Sequence, residues 1–192
     1  MARRSSRMLA LGSPAPRFAL PDTLTGKTVA LEDFSSSPAL LVAFICNHCP
    51  FVRHILDGLI AFARKLGPQG LAMVAISSND PAAHPDDAPA EMARLAKARG
   101  FSFPYLYDES QEVAKAYQAI CTPDFFLFDR DRRLAYRGQF DGSRPGNAVP
   151  VTGADLRAAC EALLRGGPVR AEQQPSVGCS IKWRAGQAPD WA

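Results

Sequence analysis

A run of seven apolar residues constrains the fold of this chain more than any other feature of its sequence. The run occupies residues 39–45 and reads Ala-Leu-Leu-Val-Ala-Phe-Ile. An uninterrupted apolar run of this length is typical of a strand buried on both faces of a parallel sheet. Such a strand needs other elements on both sides to cover it, so the run predicts an α/β fold.

Strands and helices alternate along the chain after this run. The spacing of apolar residues predicts a helix over residues 50–66 and a second buried strand over residues 70–77. A hairpin is predicted over residues 124–137 and a last helix over residues 153–164. This order indicates a mixed central β-sheet flanked by helices on both faces.

The length of 192 residues suits one domain with an extension at each end. Residues 1–10 are expected to form a flexible basic arm, residues 11–166 the domain, and residues 167–192 an irregular C-terminal tail. Two short strands, over residues 18–20 and 28–31, are predicted to form an N-terminal extension of the domain.

Composition excludes several classes of function. A net charge of +3 provides no extended basic surface, so nucleic-acid binding by electrostatics alone is not expected. Hydrophobic residues make up 47% of the chain, which excludes wholesale disorder. The longest apolar stretch, residues 39–46, is far shorter than the ~20 residues of a membrane-spanning helix. The apolar segment after Arg7 is too short for a signal peptide, so we expect a cytoplasmic protein without membrane partners.

Five cysteines in a chain expected to be cytoplasmic point to redox or metal chemistry rather than to a disulfide framework. Cys46 and Cys49 form a Cys-x-x-Cys pair where the apolar strand gives way to the helix. In open α/β sheets, functional sites form beyond the carboxyl end of such strands. A Cys-x-x-Cys pair in this setting is typical of thioredoxin-like redox chemistry.

The helix that follows indicates which cysteine is the nucleophile. Pro50 suits the first helical position, because its fixed φ and missing N–H cost nothing there. Cys49 then occupies the N-cap, where free N–H groups and the positive end of the helix dipole favour a thiolate. We expect Cys49 to attack and Cys46 to resolve. The reverse order, in which the first cysteine attacks, stays open.

Several longer strings resemble the peroxiredoxin-like, thioredoxin-fold (AhpC/TSA-related) family of bacterial proteins. They occur in the family's order and lie at residues 12–22, 44–52, 121–129, 136–139 and 178–183. The resemblance implies a thioredoxin-like fold and a thiol–disulfide exchange activity with an antioxidant role. It also implies that Pro123 follows a cis peptide bond and faces the cysteine pair.

The resemblance further implies how substrates bind. Thr122, before Pro123, would offer backbone groups to an extended substrate, and the substrates would be protein or small-molecule disulfides or peroxides. A thiol donor would supply electrons, and no organic cofactor is expected because electrons pass through the thiols. Peroxiredoxins carry Thr or Ser three residues before the peroxidatic cysteine. Since Cys46 stands at that position before Cys49, we expect disulfide reduction to exceed peroxide reduction.

Some residues have two interpretations. His48 either stabilises a neighbouring thiolate when charged or is an exposed loop residue. Cys121 is either a third redox thiol or a small buried residue, and Cys179 is either an exposed thiol or part of the packing of the tail. A copper or zinc binding module with His84 as a third ligand is the alternative function. A redox-inactive interaction domain is a further one.

Overall fold

The computed structural model describes residues 3–192. Met1 and Ala2, the first residues of the expected basic arm, lie outside the described residues. Within them the strands are Arg3–Ser5 (β1), Ala19–Pro21 (β2), Thr28–Ala30 (β3), Ala39–Phe44 (β4), Leu71–Ser77 (β5), Tyr105–Tyr107 (β6), Cys121–Thr122 (β7), Asp124–Phe128 (β8), Leu134–Gly138 (β9) and Val177–Ser180 (β10). The α-helices are Pro50–Leu66 (α1), Pro89–Arg99 (α2), Glu112–Ala116 (α3) and Ala154–Leu164 (α4). Short 3-10 helices lie at Leu31–Phe34, Gly67–Gln69 and Pro85–Asp87.

Five strands form the central sheet in the order β6-β5-β4-β8-β9. The middle strand, β4, pairs in parallel with β5 and antiparallel with β8, so that Val42 lies between Val74 and Phe126. Strand β6 pairs in parallel with β5, and β9 pairs antiparallel with β8. The predicted mixed sheet with a central apolar strand is confirmed.

Both faces of β4 are covered, because every residue of the strand is buried. Leu41 and Ala43 pack into an apolar cluster that holds the buried faces of α1, α2 and α4. Leu40 and Val42 pack into a second cluster with α3 and the N-terminal segment around Phe18. This two-sided burial explains why the sequence of β4 has no polar residue in alternate positions. The predicted helices on both faces are confirmed.

A separate three-stranded sheet, β1-β10-β7, joins the two ends of the chain. The expectation of a flexible arm over residues 1–10 is wrong for Arg3–Ser5, which pair with β10. The expectation of an irregular tail over residues 167–192 is wrong for Val177–Ser180, because these residues pair with β7 as well. Strands β1 and β10 pair through backbone hydrogen bonds with segments that are distant in sequence. Both strands are too short to show the alternation of apolar and polar residues by which a strand is recognised.

Helix α1 has the predicted bounds, Pro50–Leu66, with Cys49 as its N-cap residue. Helix α4 begins at Ala154, and its N-cap residue is Gly153 with φ of 66°. The carboxylate of Asp141 accepts the N–H of Thr152 and that of Gly153, each at 2.6 Å. A distant side chain therefore holds the two residues that precede the first turn of α4. Among residues 3–192, no helix combines the length and apolar character needed to cross a bilayer.

Candidate active site

The candidate site lies at the carboxyl end of β4, where the chain turns into α1. Cys46 follows the strand, and Cys49 caps the helix with Pro50 in its first turn. Both cysteines are thiols, and both are almost wholly covered, with exposures of 1% for Cys46 and 0% for Cys49. The predicted placement of the pair at the strand-to-helix junction is therefore confirmed.

Strand β7 brings Thr122 and Pro123 against the cysteine pair. The Thr122–Pro123 peptide bond is cis. The Cys49 thiol donates to the carbonyl oxygen of Thr122 at 3.1 Å, and Cys46 Sγ lies 3.2 Å from Thr122 Oγ1. Thr122 thus contacts both redox sulfurs, one through its backbone and one through its side chain.

The carboxylate of Asp87 holds the loop between the two cysteines. Its Oδ1 accepts the backbone N–H of Asn47 at 2.8 Å and that of His48 at 3.1 Å. Its Oδ2 accepts Asn79 Nδ2 at 2.7 Å and contacts His48 Nδ1 at 2.5 Å. Burial alone would raise the pKa of Asp87, but the hydrogen bonds from His48 and Asn79 outweigh it and lower that pKa. Sequence reasoning missed this residue. The signal that could have found it is the length of the polar, proline-rich loop of residues 78–89, because long loops often carry function.

His48 is a largely covered member of the site and not an exposed loop residue, since its side chain is only 10% exposed. Its Nδ1 faces Asp87 and lies 3.8 Å from Cys46 Sγ. Its ring stacks on that of His84, with 4.3 Å between ring centroids and 7° between planes. The loop that carries Asp87 therefore also carries His84, which covers one face of the His48 ring.

Cys46 and Cys49 differ in how readily they ionise. Hydrogen bonding from the Cys46 thiol, and then from the thiol and backbone N–H of Cys179, overcomes burial and lowers the pKa of Cys49 from its ordinary 9.0 to about 5. Cys49 makes no capping hydrogen bond as a thiol, but the N–H of Val52 is among the groups that favour its thiolate. Burial and the charges of Cys49 and Asp87 raise the pKa of Cys46 well above its ordinary value. The geometry therefore favours a thiolate at Cys49 beside a neutral thiol at Cys46.

The remaining cysteines occupy different positions. Cys121 lies next to Thr122 on β7, and its sulfur contacts the carbonyl oxygen of Pro123 at 3.7 Å. Successive side chains of a strand point to opposite faces, so Cys121 and Thr122 face opposite ways. Cys179 on β10 pairs with Thr122, whereas Cys160 is buried on α4. Sequence reasoning did not connect Cys179 with the redox pair, because only the register of β10 against β7 brings it there.

An open cleft of about 470 Å³ lies beside Cys46, between α1 and α2. Its lining includes Asn47 and Arg53, next to the redox loop, and Glu91 and Arg94 from α2. Cys46 is the cysteine of the pair that lines this cleft.

Three ligand atoms of types that bind metals lie together at the same place. They belong to Cys46, His48 and Asp87, and one ligand atom of each lies within 4.8 Å of the other two. Thiolate, imidazole and carboxylate are the ligands that zinc prefers. His84, the third ligand expected from the sequence, stacks on His48 beside this group.

Comparison with known proteins gives two kinds of match. The model of the AhpC/TSA family matches residues 11–137. The chain is 53% identical to an uncharacterized conserved protein from Geobacillus kaustophilus, over 96% of this chain and 98% of that one, with a TM-score of 0.95. It is 55% identical to a hypothetical protein from Sinorhizobium meliloti 1021, over 95% of this chain and 99% of that one, with a TM-score of 0.93.

A more distant structure shares the fold. A putative thiol:disulfide interchange protein from Chlorobium tepidum is 22% identical, over 82% of this chain and 99% of that one, with a TM-score of 0.66. Among curated proteins, none matches this chain. The structural matches confirm the predicted thioredoxin-like fold.

Proposed function

The chain belongs to the AhpC/TSA family, and from this premise we propose that it is a thiol–disulfide oxidoreductase in which Cys49 attacks and Cys46 resolves. The observation that carries the proposal is the difference in hydrogen bonding and charge around the two sulfurs, both of which are buried. Cys49 caps α1 among hydrogen-bond donors that lower its pKa, whereas burial and the neighbouring charges of Asp87 and Cys49 raise the pKa of Cys46.

The proposed reaction has two exchange steps. The Cys49 thiolate attacks a substrate disulfide, so that a bond forms between Cys49 Sγ and one substrate sulfur while the other substrate sulfur leaves as a thiolate. Cys46 then attacks Cys49 Sγ, the second substrate sulfur leaves, and the proton of Cys46 passes to the departing thiol. The protein ends with a Cys46–Cys49 disulfide, and a thiol electron donor restores both thiols.

Exposure and ionisation favour different cysteines as the first to react. Cys46 borders the cleft, but it is only 1% exposed, compared with 0% for Cys49. Their pKa values, in contrast, are displaced in opposite directions. Because only the thiolate is the nucleophile, ionisation outweighs so small a difference in exposure. Because Cys49 is wholly covered, a substrate reaches it only when the site opens locally.

The supporting residues have distinct roles in this proposal. Thr122 contacts both sulfurs. Its backbone pairs with β10 and the residue is buried, so the expectation that it offers backbone groups to an extended substrate is wrong. His48 lies 3.8 Å from Cys46 Sγ, and when protonated it would stabilise the negative charge that Cys46 acquires as it resolves. Asp87 is a positioning residue, because it holds His48 and the loop between the cysteines.

Disulfides suit this site better than peroxides. The hydroxyl that contacts the pair is Thr122 Oγ1, and it lies against Cys46, not Cys49. A peroxide at Cys49 would therefore lack the positioned hydroxyl on which electrostatic stabilisation depends. Protein or small-molecule disulfides are the proposed substrates, and we place the protein in the cytoplasm with an antioxidant role through thiol exchange.

Parallel kinetics with insulin and with hydrogen peroxide test the proposal. We expect the reduced protein to cleave insulin disulfides much faster than it consumes peroxide. The Cys49→Ser variant should lose insulin reduction, whereas Cys160→Ala, a change in the core of α4, should keep it. Rapid peroxide consumption by a protein inert toward insulin would contradict the proposal.

A metal-binding module is the second candidate function. It is favoured by the cluster of Cys46, His48 and Asp87. Against it, the Asp87 carboxylate already accepts hydrogen bonds on both oxygens, and the raised pKa of Cys46 disfavours the thiolate that a metal needs. Zinc and copper analysis of the reduced protein after equilibrium dialysis separates the two functions. One bound ion per chain, lost in Asp87→Asn, would favour the metal module.

A further inference from the structure

Cys179 lies at the redox pair although it is far from it in sequence. It pairs with Thr122 across the antiparallel strands β10 and β7. Directly opposite residues in such a pair have Cα atoms about 4.5–5.5 Å apart and side chains on the same face. Thr122 is also the residue that Cys49 contacts through its carbonyl at 3.1 Å and Cys46 through its hydroxyl at 3.2 Å. Three thiols therefore converge on Thr122.

Gly178 makes this approach of β10 to β7 possible. A Cβ at this position would lie 2.0 Å from the carbonyl oxygen of Thr122 and 3.0 Å from the nitrogen of Pro123. Backbone atoms cannot yield as a flexible side chain would, so only glycine permits this spacing. The same carbonyl accepts the Cys49 thiol, which means that glycine brings the strand carrying Cys179 against the Cys49 site.

The surroundings of the three sulfurs agree with this placement. Cys46, Cys49 and Cys179 belong to one buried apolar cluster. The thiol of Cys179 and its backbone N–H favour the thiolate of Cys49 by hydrogen bonding. Burial, followed by this hydrogen bond, raises the pKa of Cys179 to about 12. Cys179 is therefore the proton-bearing partner of the Cys49 thiolate in the reduced protein.

We propose that Cys179 is a second resolving thiol, which forms a disulfide with Cys49. The proposal rests on the proposed function, in which Cys49 carries the sulfur that exchanges. When Cys46 and Cys49 are joined, Cys179 attacks Cys49 Sγ, so that the Cys49–Cys179 bond forms and the Cys46–Cys49 bond breaks. The proton of Cys179 passes to the Cys46 sulfur, and no net oxidation occurs. The same attack on a mixed disulfide at Cys49 releases the substrate thiol.

This exchange relocates the disulfide within the protein. Cys46 borders the cleft between α1 and α2, whereas Cys179 lies on β10 between β1 and β7. Transfer to Cys179 therefore leaves a reduced thiol at the cleft and stores the disulfide on the side of the β1-β10-β7 sheet. Cys121 does not share this role, because its side chain faces the opposite way from that of Thr122.

Single-turnover reaction with dithiobis(nitrobenzoate) tests the proposal, because each thiol attack releases one coloured thionitrobenzoate. In the Cys46→Ser variant we expect two equivalents, the first from attack by Cys49 and the second from resolution by Cys179. The double variant Cys46→Ser/Cys179→Ser should release one equivalent and keep the other attached to the protein. The Cys46→Ser/Cys121→Ala variant is the matched control and should still release two.

Other outcomes separate the two proposals. A single equivalent from Cys46→Ser would overturn the role of Cys179 and leave attack by Cys49 intact. Full release by Cys49→Ser would overturn the proposed function itself.

Mapping of the oxidised wild-type chain provides a test that needs no variant. Trypsin places Cys46 and Cys49 in residues 28–53, Cys179 in residues 171–182 and Cys121 in residues 116–130. We expect a cross-link between residues 28–53 and 171–182 beside the internal one. A cross-link to residues 116–130 in its place would overturn the proposal.

Discussion

Replacement of Asp87 by asparagine tests whether this carboxylate holds the redox loop together. Asparagine has nearly the same shape, and its carbonyl oxygen can still accept the two backbone N–H groups that Asp87 Oδ1 accepts. Its amide nitrogen cannot accept from Asn79 Nδ2 or from an N–H at His48 Nδ1, which Oδ2 contacts in the native protein. The substitution therefore leaves two buried donors without an acceptor.

The expected loss of stability follows from these two contacts. A buried donor left unsatisfied costs about 1–3 kcal/mol. Because two donors lose their acceptor, Asp87→Asn should lower the free energy of unfolding by about 2–6 kcal/mol near neutral pH. Asp86→Asn is the matched control, because the side chain of Asp86 is 69% exposed and its ion pair with Arg53 is 3.6 Å long. Such a surface change should stay within about 0.5 kcal/mol.

Urea unfolding across a pH series provides the measurement. The pKa of Asp87 is lowered in the folded protein. The contribution of Asp87 to the free energy of unfolding is therefore fully present above its pKa in the unfolded chain, ~3.9. This contribution is lost as the pH falls through the lower pKa that Asp87 has in the folded protein. The difference between the wild type and Asp87→Asn should be constant above about pH 5 and shrink in stronger acid. Equal stability of the Asp87 and Asp86 variants, or a difference that grows in acid, would refute the reasoning.

Two further predictions concern the strand that faces the pair and the pair itself. Gly178→Ala should lower the free energy of unfolding by about 1–3 kcal/mol, because the new Cβ must push β10 away from Thr122. In urea unfolding the control Gly67→Ala, where a Cβ meets nothing within 4 Å and the backbone is helical, should be as stable as the wild type or up to ~1 kcal/mol more stable. Brief oxidation with diamide should first give a Cys46–Cys49 disulfide, since two intervening residues keep the sulfurs within bonding range. A dominant link from Cys46 to Cys121 in peptide maps would contradict this order.

The sequence was sufficient to predict the elements that carry the cysteine pair. The apolar run of β4 reveals a strand buried on both faces, and Pro50 reveals the start of α1. Both signals are local, because an apolar run and the fixed φ of a proline can be read from a few neighbouring residues. The cis proline at Pro123 needed the family resemblance, because an ordinary X-Pro sequence does not specify the isomer.

The surroundings of the pair could not be predicted in the same way. Asp87 lies in a loop that also holds Asp80 and Asp86, and nothing in the sequence distinguishes the buried carboxylate from the exposed one. Its role depends on how the loop folds back over the N–H groups of Asn47 and His48. Such contacts between distant segments are decided by tertiary packing and not by local preference.

Cys179 illustrates the same limit for strand register. Its sequence context, a glycine before it and a polar tail around it, is compatible with an exposed thiol. The register of β10 places Cys179, and not its neighbour Ser180, opposite Thr122. A slip of one residue would turn its side chain to the other face. The third thiol beside Cys49 therefore becomes visible only once the pairing of β10 with β7 is known.

The pH dependence of thiol alkylation, resolved by residue, tests the central claim that Cys49 is the nucleophile. Iodoacetamide rates are measured across pH for the wild type, Cys46→Ala and Cys49→Ser, and tandem mass spectrometry identifies the modified residue. We expect modification of Cys49 with a midpoint far below the ordinary thiol pKa of 9.0, close to the pKa of about 5 that Cys49 has in the folded protein. Cys46→Ala should raise the midpoint, because it removes the largest hydrogen-bond contribution, and Cys49→Ser should abolish the fast reaction. Fast low-pH modification of Cys46 that persists in Cys49→Ser would contradict the account and assign the attack to the first cysteine.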